Sequence, residues 1–248
     1  MSAGLHIGTS GWHYPHWRGP FYPVRLPARE WLGYYAARLS CVEINNSFYR
    51  RPAAADVRAW AGQTPADFRF AVKAWRGITH RRKLLDCAPL VADFLAPLRR
   101  LGRRLGPILF QLPPRWRCNP HRLRDFLAVL PRRGGLRYAF EFRDPDWHRE
   151  EVYALLARHN AAFCVFELGA LRTQPVATAD FVYVRLHGPA GAYAGCYPAP
   201  ALRRWAERLR DWRAEGREVW LFFDNDEAGY AVMNAMSLAR RVARGEGS

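Results

Sequence analysis

Lysine occurs twice in this chain, as Lys73 and Lys83, against 36 arginines in 248 residues. The two cations are not interchangeable, because an ammonium is compact and sheds its proton when desolvated, whereas a guanidinium stays charged. Lys73 closes the apolar run FRFAVK, while Lys83 lies in the basic stretch THRRK, where solvent suits it. Other reactive groups also close apolar runs: Glu43 and Asn45 in CVEIN, Gln111 in PILFQL, Glu141 and Arg143 in YAFEFR, Arg185 and His187 in FVYVRLH, and Asp224 and Asn225 after VWLFF. Glu43, Lys73, Glu141 and His187 are the candidate catalytic groups. A carboxylate acts as base, and a histidine gives or takes a proton near neutral pH. Arg143 and Arg185 offer planar forks for phosphate or carboxylate. Asn45, Gln111 and Asn225 complete the polar part of the binding set.

These groups share a site only if the elements carrying them converge. Eight short runs rich in Val, Ile, Phe and Tyr begin near residues 5, 41, 68, 107, 137, 162, 181 and 219, and they read as strands. Amphipathic segments separate most of them, at 28–39, 55–63, 89–105, 121–130, 149–160, 200–216 and 227–244. Strand and helix alternating eight times predict a (β/α)₈ TIM barrel, as a single domain over residues 1–248. The interval from Leu168 to Phe181 holds Pro175 and is too brief for a full helix, so the sixth helix is expected to be short or missing. A doubly wound open sheet is the alternative, but no glycine fingerprint for a dinucleotide is present.

Side chains alternate along a strand. Phe68, Phe70 and Val72 form one apolar face for the helices, which turns Ala71 and Lys73 inward. The same parity turns Glu43, Asn45, Gln111, Glu141, Arg143, Arg185 and His187 inward. The last strand is apolar on both faces, so either Asp224 or Asn225 points in. Nearly all of these inward groups lie at strand C-termini, where barrel active sites sit. Aromatic residues follow several strands, and Trp12, Tyr49 and Trp147 are expected at the rim, available to stack on a base or sugar. The inner ring is poor in histidine, so no dedicated metal set is read. A magnesium or manganese ion arriving with a phosphate remains open.

The formal charge of +16 suggests a polyanion or an anionic substrate. Coding bias toward arginine is the competing explanation for the surface charge. No apolar run reaches the roughly 20 residues of a membrane helix, and the first residues lack a signal-peptide pattern. A cytoplasmic location without membrane contact is the expectation. Five scattered cysteines with no CxxC pair argue against a disulfide framework or a zinc site.

The blocks GTSGWHYPHWRGPFYP, VEINNSFYRRP, FAVKAWRGITH, LFQLPP, EFRDPDW, YVRLHG and FFDND, in that order between about residues 5 and 238, resemble the YecE-like family, also called domain of unknown function 72. The resemblance implies a TIM barrel and motif positions but no reaction. The family commonly has Asn-Asn where this chain has Asp224 and Asn225. Three functions fit. The leading one is an enzyme for a phosphate-bearing substrate, such as a nucleic-acid phosphodiesterase. The second is a hydrolase or lyase for a small sugar-like or anionic metabolite, with Glu43 and Glu141 as its carboxylate pair. The third is a non-catalytic nucleic-acid or anion binder.

Overall fold

In the computed structural model, which describes residues 3–132 and 134–245, each apolar run forms a strand. The expected 1–248 domain extends beyond the described residues at both ends. The strands are β1 (Leu5–Thr9), β2 (Cys41–Ile44), β3 (Arg69–Lys73), β4 (Leu105–Gln111), β5 (Tyr138–Glu141), β6 (Ala162–Leu168), β7 (Leu171–Arg172), β8 (Phe181–Leu186) and β9 (Glu218–Phe223). Eight of them are parallel, in the order β1-β9-β8-β6-β5-β4-β3-β2.

The seam between β1 and β2 closes the ring. Ser10 bridges to Glu43, and the Gly11 amide donates to the Glu43 carbonyl at 2.8 Å. Lower down, the Tyr35 hydroxyl accepts from the Thr9 amide at 3.0 Å and donates to the Cys41 carbonyl at 3.0 Å. One side chain thus satisfies backbone groups that a ladder would have paired. The two strands approach so closely that a Cβ on Gly8 would lie 2.3 Å from the Cys41 carbonyl oxygen.

The parity reading holds. Val42, Ile44, Phe70, Val72, Ile108, Phe110, Val182 and Val184 join the core beneath the helices. Ala71, Leu109, Ala139, Ala162, Tyr183, Trp220 and Phe222 fill the barrel. Alanines on β3, β5 and β6 make room for the large rings of β8 and β9, the small-against-large packing that fills a tapering barrel. On β9, Trp220 and Phe222 turn inward and Leu221 and Phe223 outward, which sends Asp224 inward and Asn225 out.

The helices are α1 (Trp31–Ala36), α2 (Ala54–Gly62), α3 (Ala88–Leu98), α4 (Pro120–Val129), α5 (Glu150–Arg158), α6 (Ala199–Ala214) and α7 (Tyr230–Arg244). The start of α4 follows its sequence signal, with the Asn119 side chain accepting from the Arg122 amide at 2.9 Å ahead of Pro120. Three helices are shorter than their periodicity implies. The 28–39 segment spends residues 28–30 on a 3₁₀ turn. The 89–105 segment leaves the α form at Arg99, two residues after Pro97, and Gly102 then takes a φ of 54°. The last segment begins only at Tyr230, because Ala228 and Gly229 have φ of 51° and 76°.

Among the described residues no α-helix joins β6 to β8. The chain instead folds back as β7 and crosses as a strap. The Thr173 hydroxyl accepts from the Phe166 amide at 2.8 Å, and the Thr178 hydroxyl accepts from the Phe163 amide at 2.8 Å. Two threonines supply hydrogen bonds along this uncovered stretch of β6.

Candidate functional site

Arg185, on the inward face of β8, is wholly buried and forms the hub of the site. Its Nη2 donates to Glu43 Oε1 at 2.7 Å, to Ser10 Oγ at 2.9 Å and to Asp224 Oδ2 at 3.0 Å. Its Nη1 donates to Glu141 Oε2 at 2.9 Å. Four strands thus direct acceptors at one guanidinium. Tyr183 donates to Glu43 Oε2 at 2.6 Å, and Ser10 donates to Oε1 of the same carboxylate. Arg143 donates through Nε to Glu141 Oε1.

His187 lies between Asp224, at 2.9 Å from Nδ1, and three groups at Nε2: Arg143 Nη2 at 3.1 Å, Glu141 Oε1 at 3.2 Å and Arg185 Nη1 at 3.5 Å. A carboxylate only accepts, so Nδ1 carries a proton. At Nε2 the neutral ring accepts from Arg143, and the imidazolium donates to Glu141. Each state therefore has a partner, an arrangement suited to proton transfer.

Burial alone would push the Glu141 carboxyl up, but Arg143 and Arg185 hold it well below the usual range. Asp224 is likewise pushed up by burial but held down by Arg185 and the His187 hydrogen bond. The three carboxylates raise Arg185 against the opposing effect of burial. Glu141 and Asp224 are therefore ionised at neutral pH. With Glu43, Glu141 and Asp224 against Lys73, Arg143 and Arg185, the cluster is formally neutral when His187 is neutral.

Accessibility divides the site into two layers. Glu43, Glu141, Arg185 and His187 are 0% exposed. Above them Lys73 and Gln111 keep 8% and Asp224 4%, and the Arg143 side chain keeps 9%. A molecule entering the mouth meets the second group first. Asp224 gives Oδ2 to Arg185 and His187, and Oδ1 has no hydrogen-bond partner among the described residues.

Lys73 ends β3, where the Ser47 hydroxyl lies 2.6 Å from the Lys73 carbonyl and 2.8 Å from the Ile44 carbonyl. This ties the turn Asn46–Phe48 to both strands and brings the Phe48 ring to 4.5 Å from the amine. Among the described residues the amine has no ion pair or hydrogen bond. Burial and then Arg185 lower Lys73 to about 8, although Asp224, Glu141 and Glu43 act in the opposite direction. Nearby His80 is lowered to about 4 by burial, Lys73, Arg76 and Arg143. Three cations therefore act at one point of the mouth.

The structure brings together Glu43, Lys73, Gln111, Glu141, Arg143, Arg185 and His187. Asn45 lies at the end of β2 with its Oδ1 buried and unpartnered. Tyr49 is 66% exposed on the rim near Arg76. Trp12 is half-buried and edge-on to Trp60. Two expected residues lie elsewhere. Trp147 is buried under the rim, stacked on Phe142 at 4.8 Å, with its Nε1 donating to the Trp116 carbonyl at 2.6 Å, so it presents no face for stacking. Asn225 points away from the mouth and donates to the Gly195 carbonyl at 2.7 Å and to Asn234 at 2.9 Å. Arg185 is also not placed to hold an anion from the mouth, because it is wholly buried and acceptors take both of its Nη groups.

Sequence reasoning missed Ser10, His80 and the part Tyr183 plays as an acid-network donor. Alternation along β8 turns Tyr183 to the same face as Arg185, which is the signal that could have found it. A serine just past a strand carries no such signal. Among the described residues no group of three His, Cys, Asp or Glu side chains can hold a metal ion. Arg185 holds the position between the three carboxylates that a cation would take. No helix among the described residues is long and apolar enough to cross a membrane.

Comparison with known proteins agrees with this architecture. A family model described as "Protein of unknown function DUF72" matches residues 6–247, and the chain belongs to that family. The UPF0759 protein YecE of Escherichia coli K12 is 35% identical over 146 residues, covering 58% of this chain and 50% of YecE. The UPF0759 protein YunF of Bacillus subtilis 168 is 26% identical over 94% of this chain and 93% of YunF. A crystal structure of a DUF72 family protein from Thermotoga maritima MSB8 superposes with a TM-score of 0.86 at 27% identity, over 97% of this chain and 99% of that one. A DUF72 family protein from Enterococcus faecalis V583 shares the fold, with a TM-score of 0.81 at 18% identity, over 96% and 95% of the two chains.

Proposed function

We propose that this DUF72 chain is an enzyme whose barrel mouth takes a small anionic substrate, with Arg143 holding the anion and Lys73 working on the bound molecule. One observation carries the reading: Lys73 and Arg143 are cations that reach solvent above a layer in which every carboxylate is already paired. An anion therefore meets positive charge at the entrance, with Asp224 Oδ1 in the same layer as the one carboxylate oxygen without a partner and no unpaired carboxylate below. Phosphate and carboxylate both suit Arg143. The Glu43 and Glu141 pair is sealed and bound to Arg185, which argues against these two acting directly on a glycosidic bond. The sealed layer fixes the charge and position of the groups above it, as electrostatic preorganisation requires.

Calorimetric titration with inorganic phosphate tests this. Binding should weaken about tenfold or more in Arg143→Gln, the scale of one charge-assisted hydrogen bond. Undiminished binding in that variant would remove the anion from this site.

A second reading, non-catalytic polyanion binding, is favoured by a separate observation. Arg203 and Arg210 of α6 face Arg240, Arg241 and Arg244 of α7 across an open groove of about 470 Å³ on the outer helical wall. Nucleic acid drawn by the chain's charge has this groove as an alternative to the mouth.

A further inference from the structure

We infer that Lys73 is an imine-forming residue, and that the substrate is a small carbonyl compound bearing a carboxylate or phosphate. This rests on the proposed use of the mouth for an anion and adds the reacting bond. A lysine that only balances charge pairs with a carboxylate. Lys73 does not, although Glu43, Glu141 and Asp224 are all near enough to act on it. Arg185 occupies them, so the amine stays unpaired at the solvent-reaching layer. The Phe48 ring covers one side of it, which limits its hydration. A desolvated, unpaired amine at a strand end is the form in which lysine attacks a carbonyl. A guanidinium cannot take this role, which accounts for a lysine here in a chain with 36 arginines.

The step balances without an oxidant or reductant. The neutral amine forms a C–N bond to the carbonyl carbon, and the C=O π pair moves to oxygen. One proton passes from nitrogen to that oxygen, giving a carbinolamine. The hydroxyl leaves with a second proton as water, and the C=N bond forms. When the imine nitrogen is protonated, it accepts the electron pair of a C–H bond at the adjacent carbon. Asp224 Oδ1, ionised and without a hydrogen-bond partner, is the carboxylate available to take that proton. His187 Nδ1–H, donating to Oδ2 of the same carboxylate, holds it in place, and the proton leaves from Oδ1 to solvent at the mouth. Arg143 holds the anionic end of the substrate, which sets the carbonyl over Lys73.

Two lysines in the chain make the test specific. The full chain is incubated with pyruvate, with dihydroxyacetone phosphate or with uncharged acetone, each with sodium cyanoborohydride, and digested for mass mapping. Pyruvate or dihydroxyacetone phosphate should add one reduced adduct at Lys73 and leave Lys83 largely unmodified, and acetone should react at least tenfold less. Whichever of the two anions reacts faster identifies a carboxylate or a phosphate substrate. Arg143→Gln should remove the advantage of the charged probes while Lys73 still reacts. Equal labelling of Lys73, Lys83 and the N-terminal amine would overturn the inference, as would no adduct at Lys73. If phosphate still binds through Arg143 in calorimetry while trapping fails, the imine falls and the anion site stands. If both fail, both readings fall.

Discussion

Arg185 Nη2 and Asp224 Oδ2 lie 3.0 Å apart, and His187 Nδ1 meets the same oxygen at 2.9 Å. That shared oxygen joins the guanidinium hub to the histidine and leaves Oδ1 of Asp224 for the mouth. The residue just past β9 therefore contributes a charge, where an asparagine would contribute a neutral amide.

Asp224→Asn tests the difference. The amide oxygen can accept in place of Oδ2, so the barrel should fold with a loss of about 1–3 kcal/mol. Asp224 raises Lys73, against burial. Removing its charge should move the Lys73 titration below about 8. Reductive ¹³C-methylation followed by NMR reads this cleanly, since the only side-chain amines are Lys73 and Lys83. A Lys73 midpoint that stays fixed or rises would show that Asp224 does not act on the amine.

Arg185→Met tests the hub. The substitution conserves much of the apolar volume but leaves Glu43, Glu141 and Asp224 buried without their shared cation. Breaking a buried ion pair from one side costs about 3–5 kcal/mol, a large share of a domain's stability. Urea unfolding should show a loss of that size or an insoluble chain. Arg185→Lys should recover only part, because one ammonium cannot reach from Glu43 to Glu141 as two guanidinium nitrogens do. Near-native stability in Arg185→Met would mean that the carboxylates find other partners.

How far these contacts were legible differs by residue. Clean alternation located Glu43, Lys73, Glu141, Arg185 and His187, because each of their strands has one apolar face and one mixed face. β9 has aromatic residues on both faces, so parity left Asp224 and Asn225 undecided, and only the inward packing of Trp220 and Phe222 decides it. Residue type made Arg185 a candidate fork for an anion. Its pairing with three carboxylates takes it out of that role, and pairing is a three-dimensional property. Trp147 was read as a rim residue because its loop follows a strand. Its indole proton is taken by the carbonyl of Trp116, a residue 31 positions earlier, and no local pattern encodes that contact.

The titrating groups make stability rise with pH at both ends of the scale. Glu141 and Asp224 lie below their ordinary values of 4.5 and 3.8 in the barrel. Their contribution is complete above those values and is lost as pH falls through the lower folded ones. Lys73 is lowered from 10.5 to about 8. Between those limits the unfolded chain holds a proton that the barrel has released, so the Lys73 contribution to stability rises with pH there. Urea midpoints measured from pH 7 to 10 should climb more in the native protein than in Lys73→Met. Parallel profiles would mean that Lys73 titrates as an ordinary exposed lysine.

The polyanion question turns on where the free arginines lie. Arg203, Arg210, Arg240, Arg241 and Arg244 face one groove, and none of their side chains forms an ion pair or hydrogen bond with another described residue. Trp147 is buried and Trp12 is half-buried edge-on to Trp60, so of the expected rim rings only Tyr49 stands open to unstacked bases. Labelled DNA should then bind through phosphate contacts alone, with single and double strands bound comparably. Affinity should fall steeply with salt, since each neutralised phosphate releases counterions. Replacing Arg240 and Arg244 by Gln should lower the salt slope on duplex by about two, roughly 0.9 per contact. Trp12→Ala should leave both affinity and slope unchanged. A single-strand preference that Trp12→Ala abolishes would instead locate the polyanion at the barrel mouth, where bases stack on the rim and Lys73 and Arg143 take the phosphates.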